Sequence, residues 1–295
     1  MPSKPVKGGV LRANAATRSR FTARWLALID AMTKETKADL TALFKSQSHV
    51  FDESLPARLA REVMPGVFGC SYAPMAVAMD ASLADLAQGV IDRLLHKYTA
   101  LFTQQAGGIV DTMIGATVAD SEKAMNRSLK DVGKGLTIAP TDELKQMVDA
   151  SSQEAAGLIK RVPVDYLPQV QGDVMRSITT GNGLADLIPA LQERDVKVKN
   201  WAVNVAKDQT NKVFNNVNKV RAQSSGAKEF EWIHSGGSNK PRKLHIDRAP
   251  GGLNGGIFRF DDPPIIDENT GERGMPGQLP FCGCTFRPIF RFDED

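Results

Sequence analysis

Histidine, cysteine and aromatic residues are scarce in this chain. Four histidines and three cysteines occur in 295 residues, and aromatics make up 6%. An odd, low cysteine count in a chain this long argues against a disulfide scaffold. Charge of one sign is lacking as well: 37 Lys and Arg against 34 Asp and Glu leave a net charge of +3, too little to imply a nucleic-acid partner from the global balance. Long apolar runs are also absent. The most apolar stretch, Val63 to Met79, is interrupted by Pro65, Gly66, Gly69 and Pro74, which excludes a spanning helix. No apolar segment follows the early basic residues, so no secretory leader is expected, and the chain reads as cytosolic when made.

What is present is unevenly placed. Lys4, Lys7, Arg12, Arg18, Arg20 and Arg24 all precede the first acid, Asp30. Two readings of this arm stand: Arg12, Arg18, Arg20 and Arg24 contact phosphates or an acidic protein surface, or the arm is a solvated, partly disordered terminus.

The body of the chain reads as helix. Phe21, Trp25, Leu28, Ile29, Met32, Leu40, Leu43 and Phe44 predict a long amphipathic helix. Leu83 to Phe102 repeat at three- and four-residue steps behind Ser82 as N-cap, and this helix is expected to run on until Gly133 and Gly135. Between them, about Gln47 to Ala81 reads as mixed and partly loop. Thr141 is placed to cap a helix carrying Leu144, Met147, Val148, Leu158 and Ile159. Pro163 opens another, ended by Gly181 and Gly183. A short helix with Leu184, Leu187, Ile188 and Leu191 follows, then one from about Lys197 to Gln223.

That last helix carries Asn204, Asp208, Asn211, Asn215 and Asn218 at steps of four, three, four and three, one continuous polar stripe. Asparagine is a poor helix former, so a face of this kind suits hydrogen bonding to another chain or to the C-terminal segment; a tolerated solvent face is the alternative.

After Gly226 the pattern changes to short extended pieces between Gly/Pro-rich loops. Phe230, Trp232 and His234 alternate, as do Phe258 and Phe260, then Cys282, Cys284 and Phe286. The expected architecture is α+β: mostly helical with long amphipathic helices and a small β-containing C-terminal module. Its expected divisions are 1–140, a helical region with the basic arm, 141–225, a central helical region, and 226–295, the compact module.

This module holds two of the three cysteines and two of the four histidines. Cys282 and Cys284 on one strand would send both sulfurs to one face, with α-carbons about 7 Å apart. With His245 and His234 they form a Cys2His2 inventory that zinc accepts. The competing reading is that both are small hydrophobes in a core, with no cofactor bound. A Cys–His nucleophile pair is conceivable in composition, yet neither a surrounding acid cluster nor a phosphate loop accompanies it, so no enzyme is expected. Arg221, Arg242, His245 and Asp247 are placed to tie loops to helix by charge-assisted hydrogen bonds.

The order Trp232-Ile233-His234-Ser235, Pro241-Arg242 with His245, Gly274-Met275-Pro276-Gly277 and Cys282-Gly283-Cys284 resembles the C-terminal signature of the phage Mu F-like head morphogenesis family, whose members are described as minor head or minor capsid proteins. That signature marks Trp232, Arg242, His245, Pro276, Gly277, Cys282 and Cys284. Gly283 stands where the family usually has Arg, and Ser235-Gly236-Gly237 where an Asp commonly follows. Leu158 to Pro163 with Tyr166, Ala206 to Lys212 with Asn218 and Arg221, and Asn14-Ala15-Ala16 resemble earlier family elements. The resemblance implies a structural minor head protein of a tailed phage or prophage, assisting head assembly. Implied partners are portal, major capsid and scaffold proteins, with packaged DNA a further contact and no membrane. The implied location is the virion head, with the host cytoplasm during assembly. Some relatives carry toxin domains after the signature; this sequence ends eleven residues past Cys284, so none is expected. The alternatives are a metal-dependent enzyme or effector carried in the particle, and a DNA-contacting adaptor using the basic arm.

Overall fold

Capping chemistry sets the helix starts. In the computed structural model, which describes residues 5–48, 82–133, 141–236 and 242–291, Asn14 Oδ1 accepts from Ala16 N–H at 2.9 Å and opens α1, Ala15–Ser48. Ser82 Oγ accepts from Asp85 N–H at 3.1 Å while the Asp85 carboxylate takes the Ser82 N–H, a reciprocal cap at the head of α2, Leu83–Lys130. Thr141 Oγ1 accepts from Leu144 N–H at 3.2 Å before α3, Asp142–Lys160. Pro163 sits in the first turn of α4, Val162–Thr179, where its missing donor costs nothing. Gly133, Gly181 and Gly183 all take positive φ at helix ends. The Val63–Met79 stretch, Gln47 to Ala81 apart from α1's end, Gly135 and Pro241 lie outside the described residues.

One expectation fails. The helices assigned to Leu184–Leu191 and to Lys197–Gln223 are a single helix, α5, Leu184–Ser224. The intervening Gln192-Glu193-Arg194-Asp195-Val196 contains no breaker and is rich in good helix formers. Pro189, inside the helix, removes one backbone donor near its start.

After α5 come β2, Glu229–Ile233, the one-turn α6, Lys243–Asp247, β3, Ile257–Arg259, and β4, Thr285–Phe290. The sheet has a fourth strand that the sequence did not announce: β1, Val6–Lys7. The order is β1-β4-β2-β3, antiparallel throughout, with Trp232 opposite Phe286 and Val6 opposite Phe290. Residues 5–14 are therefore built into the fold, against the solvated-terminus reading: Leu11 is fully buried and its N–H donates to Phe286 O at 3.2 Å. Lys7 reaches the buried Glu231 carboxylate at 2.8 Å, and Arg287 does so at 2.7 Å. Pro288 is tolerated in β4 because its backbone faces β1, where its carbonyl accepts from Gly8 N–H, so the missing donor falls on the short edge strand rather than on β2. The architecture is α+β and mostly helical, as expected.

By compactness the chain forms two units, neither a single run of sequence. One takes Leu28–Phe102 and Arg161–Val198. It buries Ile29, Met32 and Leu40 of α1, Ile91, Leu94 and Tyr98 of α2, Val170 and Val174 of α4, and Leu187 and Leu191 of α5. Asp173, whose carboxylate is 4% exposed, is held there by Arg194 through both oxygens and by Arg176 at 3.1 Å. The Arg194 hydrogen bond holds the Asp173 carboxyl below its usual range, more than burial raises it. A depressed folded-state value adds stability above the unfolded pKa of about 3.9 and loses it as pH falls through the folded value. Asp173→Asn is expected to flatten the stability profile in that acid window and to be less stable than wild type at neutral pH, read by circular dichroism against pH.

The other unit takes Met1–Ala27, Thr103–Lys160 and Lys199–Asp295. Its core joins Leu11, Met125, Leu129 and Phe214 to Phe230, Trp232, Phe286 and Phe290 of the sheet. Phe230 packs on Phe258, Phe260 and Phe286 with ring centroids 5.0–6.0 Å apart.

Candidate functional site

The seven signature residues span about 50 positions of sequence, and those described gather at one place in this second unit. β2 presents Trp232, fully buried, and its indole meets the His245 ring edge-to-face at a centroid distance of 5.2 Å. His245 comes from α6. Arg242, just before α6, donates to Pro280 O at 3.1 Å and so ties that helix to the turn that precedes Cys282.

The 276–284 loop is held from beneath by α5. Asn215 Nδ2 donates to Pro276 O at 3.1 Å and to Cys284 O at 3.0 Å, and Asn215 Oδ1 lies 3.0 Å from the Thr285 hydroxyl. Asp208 accepts from Phe281 N–H at 2.6 Å. Burial pushes the Asp208 carboxyl above its ordinary value, and Lys212 at 3.1 Å opposes that shift. Phe281, with φ 58, is a non-glycine residue in the left-handed region, a conformation that these ties over-determine. Gly277 explains the Pro-Gly element: its φ is 84, and a β-carbon there would run into Asn215 Nδ2 and lie 2.9 Å from Cys284 O.

Clamped this way, the loop brings Cys282 Sγ to 3.3 Å and Cys284 Sγ to 3.8 Å from His245 Nδ1. All three side chains are buried, their donor atoms lie within 4.8 Å of one another, and both cysteines are free thiols. His245 Nε2 is 3.2 Å from Ile266 O. A carbonyl accepts only, so Nε2 carries the proton and the Nδ1 lone pair faces the sulfurs. Cys282 is pushed down to about 4, chiefly by the hydrogen bond from Cys284, against the effect of burial. Cys284 is pushed up by its neighbour and by burial. One sulfur thus favours the thiolate, which is the state in which cysteine binds metals or reacts.

Two sequence expectations about this cluster are corrected. Cys282 and Cys284 are not on a strand: β4 begins at Thr285, and Cys282 closes a turn by donating its N–H to Leu279 O at 3.1 Å. His234 is not in the cluster. It follows β2 rather than extending it, and its Nδ1 accepts from Gly236 N–H at 3.2 Å.

The polar stripe divides along its length. Asp208 and Asn215 hold the loop. Asn218 is buried against α2, where its Oδ1 accepts from Ser121 Oγ at 2.9 Å, and Arg221 donates to the same hydroxyl and to Val118 O. Arg221 therefore ties helix to helix, not loop to helix. Asn211 is half-buried and Asn204 is exposed. Asn211, Arg12, Arg18, Lys207 and His234 line a cleft of about 510 Å³ that also reaches Cys284. Arg12 borders a second cleft of about 750 Å³ with Lys123, Arg127 and Lys130 of α2. Arg24 donates to Thr112 at 2.9 Å, and Arg20 to Thr17 at 3.4 Å. Sequence reading passed over the α2 basic row, although its steps of four and three place it on one helix face. It had no signal for Ser121 or for the Ile266 carbonyl.

Residues 168–287 match the family model described as Phage Mu protein F like protein, the family that the signature resembles. The match takes in Ala206–Lys212, Asn218, Arg221 and the whole C-terminal signature, while Asn14–Ala16 and Leu158–Pro163 with Tyr166 lie before it. A Haemophilus influenzae protein described as "Uncharacterized protein" is 23% identical over 206 residues, covering 68% of this chain and 43% of that protein. The chain thus spans less than half the length of this relative. No solved structure matches the chain. Among the described residues, no helix is long and apolar enough to cross a membrane.

Proposed function

We propose that the chain is a structural minor head protein of a tailed phage or prophage, a component of the virion head that assists assembly by binding other head proteins. The observation that carries this reading is the match of residues 168–287 to the Phage Mu F-like family, which supports a role in phage head morphogenesis. The site's construction agrees with it. His245, Cys282 and Cys284 are each less than 5% exposed, and the groups around them are engaged in holding one loop to α5 and α6, which suits a rigid node. The partners proposed are portal, major capsid and scaffold proteins, met in the host cytoplasm during assembly.

Lysine-directed cross-linking of assembling heads, read by mass spectrometry, tests the partner set. Cross-links from Lys207 or Lys123 to portal or major capsid protein are expected; cross-links confined to non-head proteins would contradict the proposal. A second reading, contact with packaged DNA, is favoured by the convergence of Arg12 with Lys123, Arg127 and Lys130 on one cleft. Ultraviolet cross-linking of these residues to DNA in filled heads would support it, and its absence would leave the cleft to a protein partner.

A further inference from the structure

We propose that His245, Cys282 and Cys284 form a zinc site that fastens the 276–284 loop to α6 and stiffens the C-terminal module. The inference stands independently of the head-protein reading, since it rests on geometry alone.

The separations fit the ion. Tetrahedral zinc with Zn–S of about 2.3 Å and Zn–N of about 2.0 Å places sulfur and nitrogen about 3.5 Å apart. The two observed sulfur–Nδ1 distances, 3.3 and 3.8 Å, bracket that value. The nitrogen presented is the correct one: Nε2 is committed to Ile266 O, which leaves the Nδ1 lone pair directed at both sulfurs. A ligating histidine whose other nitrogen donates to a backbone carbonyl is the usual outer support of a metal site, because it fixes the tautomer and the ring plane. A cation at this point would engage all three donors together. Two thiolates would balance the charge of a divalent ion, and thiolate with imidazole favours zinc over the hard cations.

Trp232 contributes to this arrangement from the other side. Its indole meets the His245 ring edge to face and holds the imidazole plane against the two sulfurs. Asn215, Asp208 and Arg242 preset the loop before any ion arrives, so the ligands converge without reorganisation. The cluster supplies three donors, and a water or a donor from outside the cluster completes the tetrahedron.

The full-length chain, purified under reducing conditions from zinc-supplemented cells, is expected to carry about one zinc by elemental analysis. Cobalt substitution is expected to give intense tetrahedral d–d bands and a thiolate-to-metal charge-transfer band. Cys282→Ser and Cys284→Ser should each reduce zinc to none, while His234→Ala keeps it. Because the serine variants can fail to fold, the wild-type chain provides the second reading: chelation should lower its thermal midpoint, and added zinc should restore it. A metal-free chain whose reduced form gives no cobalt charge-transfer band would overturn the proposal, as would a Cys282–Cys284 disulfide in the purified protein. Loss of zinc in His234→Ala would overturn the ligand set.

Discussion

Trp232→Ala is expected to destabilise the chain by about 3–5 kcal/mol, the range for deleting a fully buried large aromatic side chain. Trp232 is completely buried between the sheet core and the His245 ring, and it faces Phe286 across the β2–β4 ladder. Its removal opens a cavity against Phe230 and Phe286 and frees the imidazole from its packing. Trp232→Phe keeps most of the apolar contact, so it should lose clearly less. Chemical denaturation followed by circular dichroism reads both variants. A cost below about 1 kcal/mol for alanine would mean that the core around Trp232 is not built as described.

Asn215→Ala is expected to cost about 2–5 kcal/mol. The side chain is the donor for both Pro276 O and Cys284 O, and a buried acceptor left without its donor costs about 1–3 kcal/mol. Asn204→Ala makes the control. It changes the same residue type on the same stripe, at an exposed position, and should stay within about 0.5 kcal/mol of wild type. Equal effects at the two positions would show that the stripe does not act through the loop. In Asn215→Ala the 276–284 loop should also exchange its amide hydrogens faster, while α4 should keep its protection.

Much of this fold could be read along the chain because the controlling signals are local. Ser82, Thr141 and Pro163 set helix starts through hydrogen bonds or backbone angles that involve residues at most three positions away. The stripe from Asn204 to Asn218 was visible as a face, and Cys282, Cys284, His245 and His234 were visible as a ligand inventory, one member too many. What escaped depends on distant partners. Val6–Lys7 is too short to show a period, and it becomes a strand only through β4, almost the whole chain away. Alternation suggested a strand at Cys282 and Cys284, but Pro280 and the left-handed Phe281 turn the backbone before β4 begins. Nothing in the spacing showed that His245 would join the sulfurs while His234 would not. That choice is made by α6, which carries His245 toward Trp232, and by the turn after β2, which commits His234 to Gly236 N–H.

The reading of this chain as a structural head component is tested most directly by quantitative mass spectrometry of purified phage heads produced from the genome that encodes it. The chain should be present in mature heads at a low, fixed number of copies relative to major capsid protein, and a deletion should leave head assembly defective until the intact gene is supplied. Mature heads that lack the chain and assemble normally without it would contradict the account.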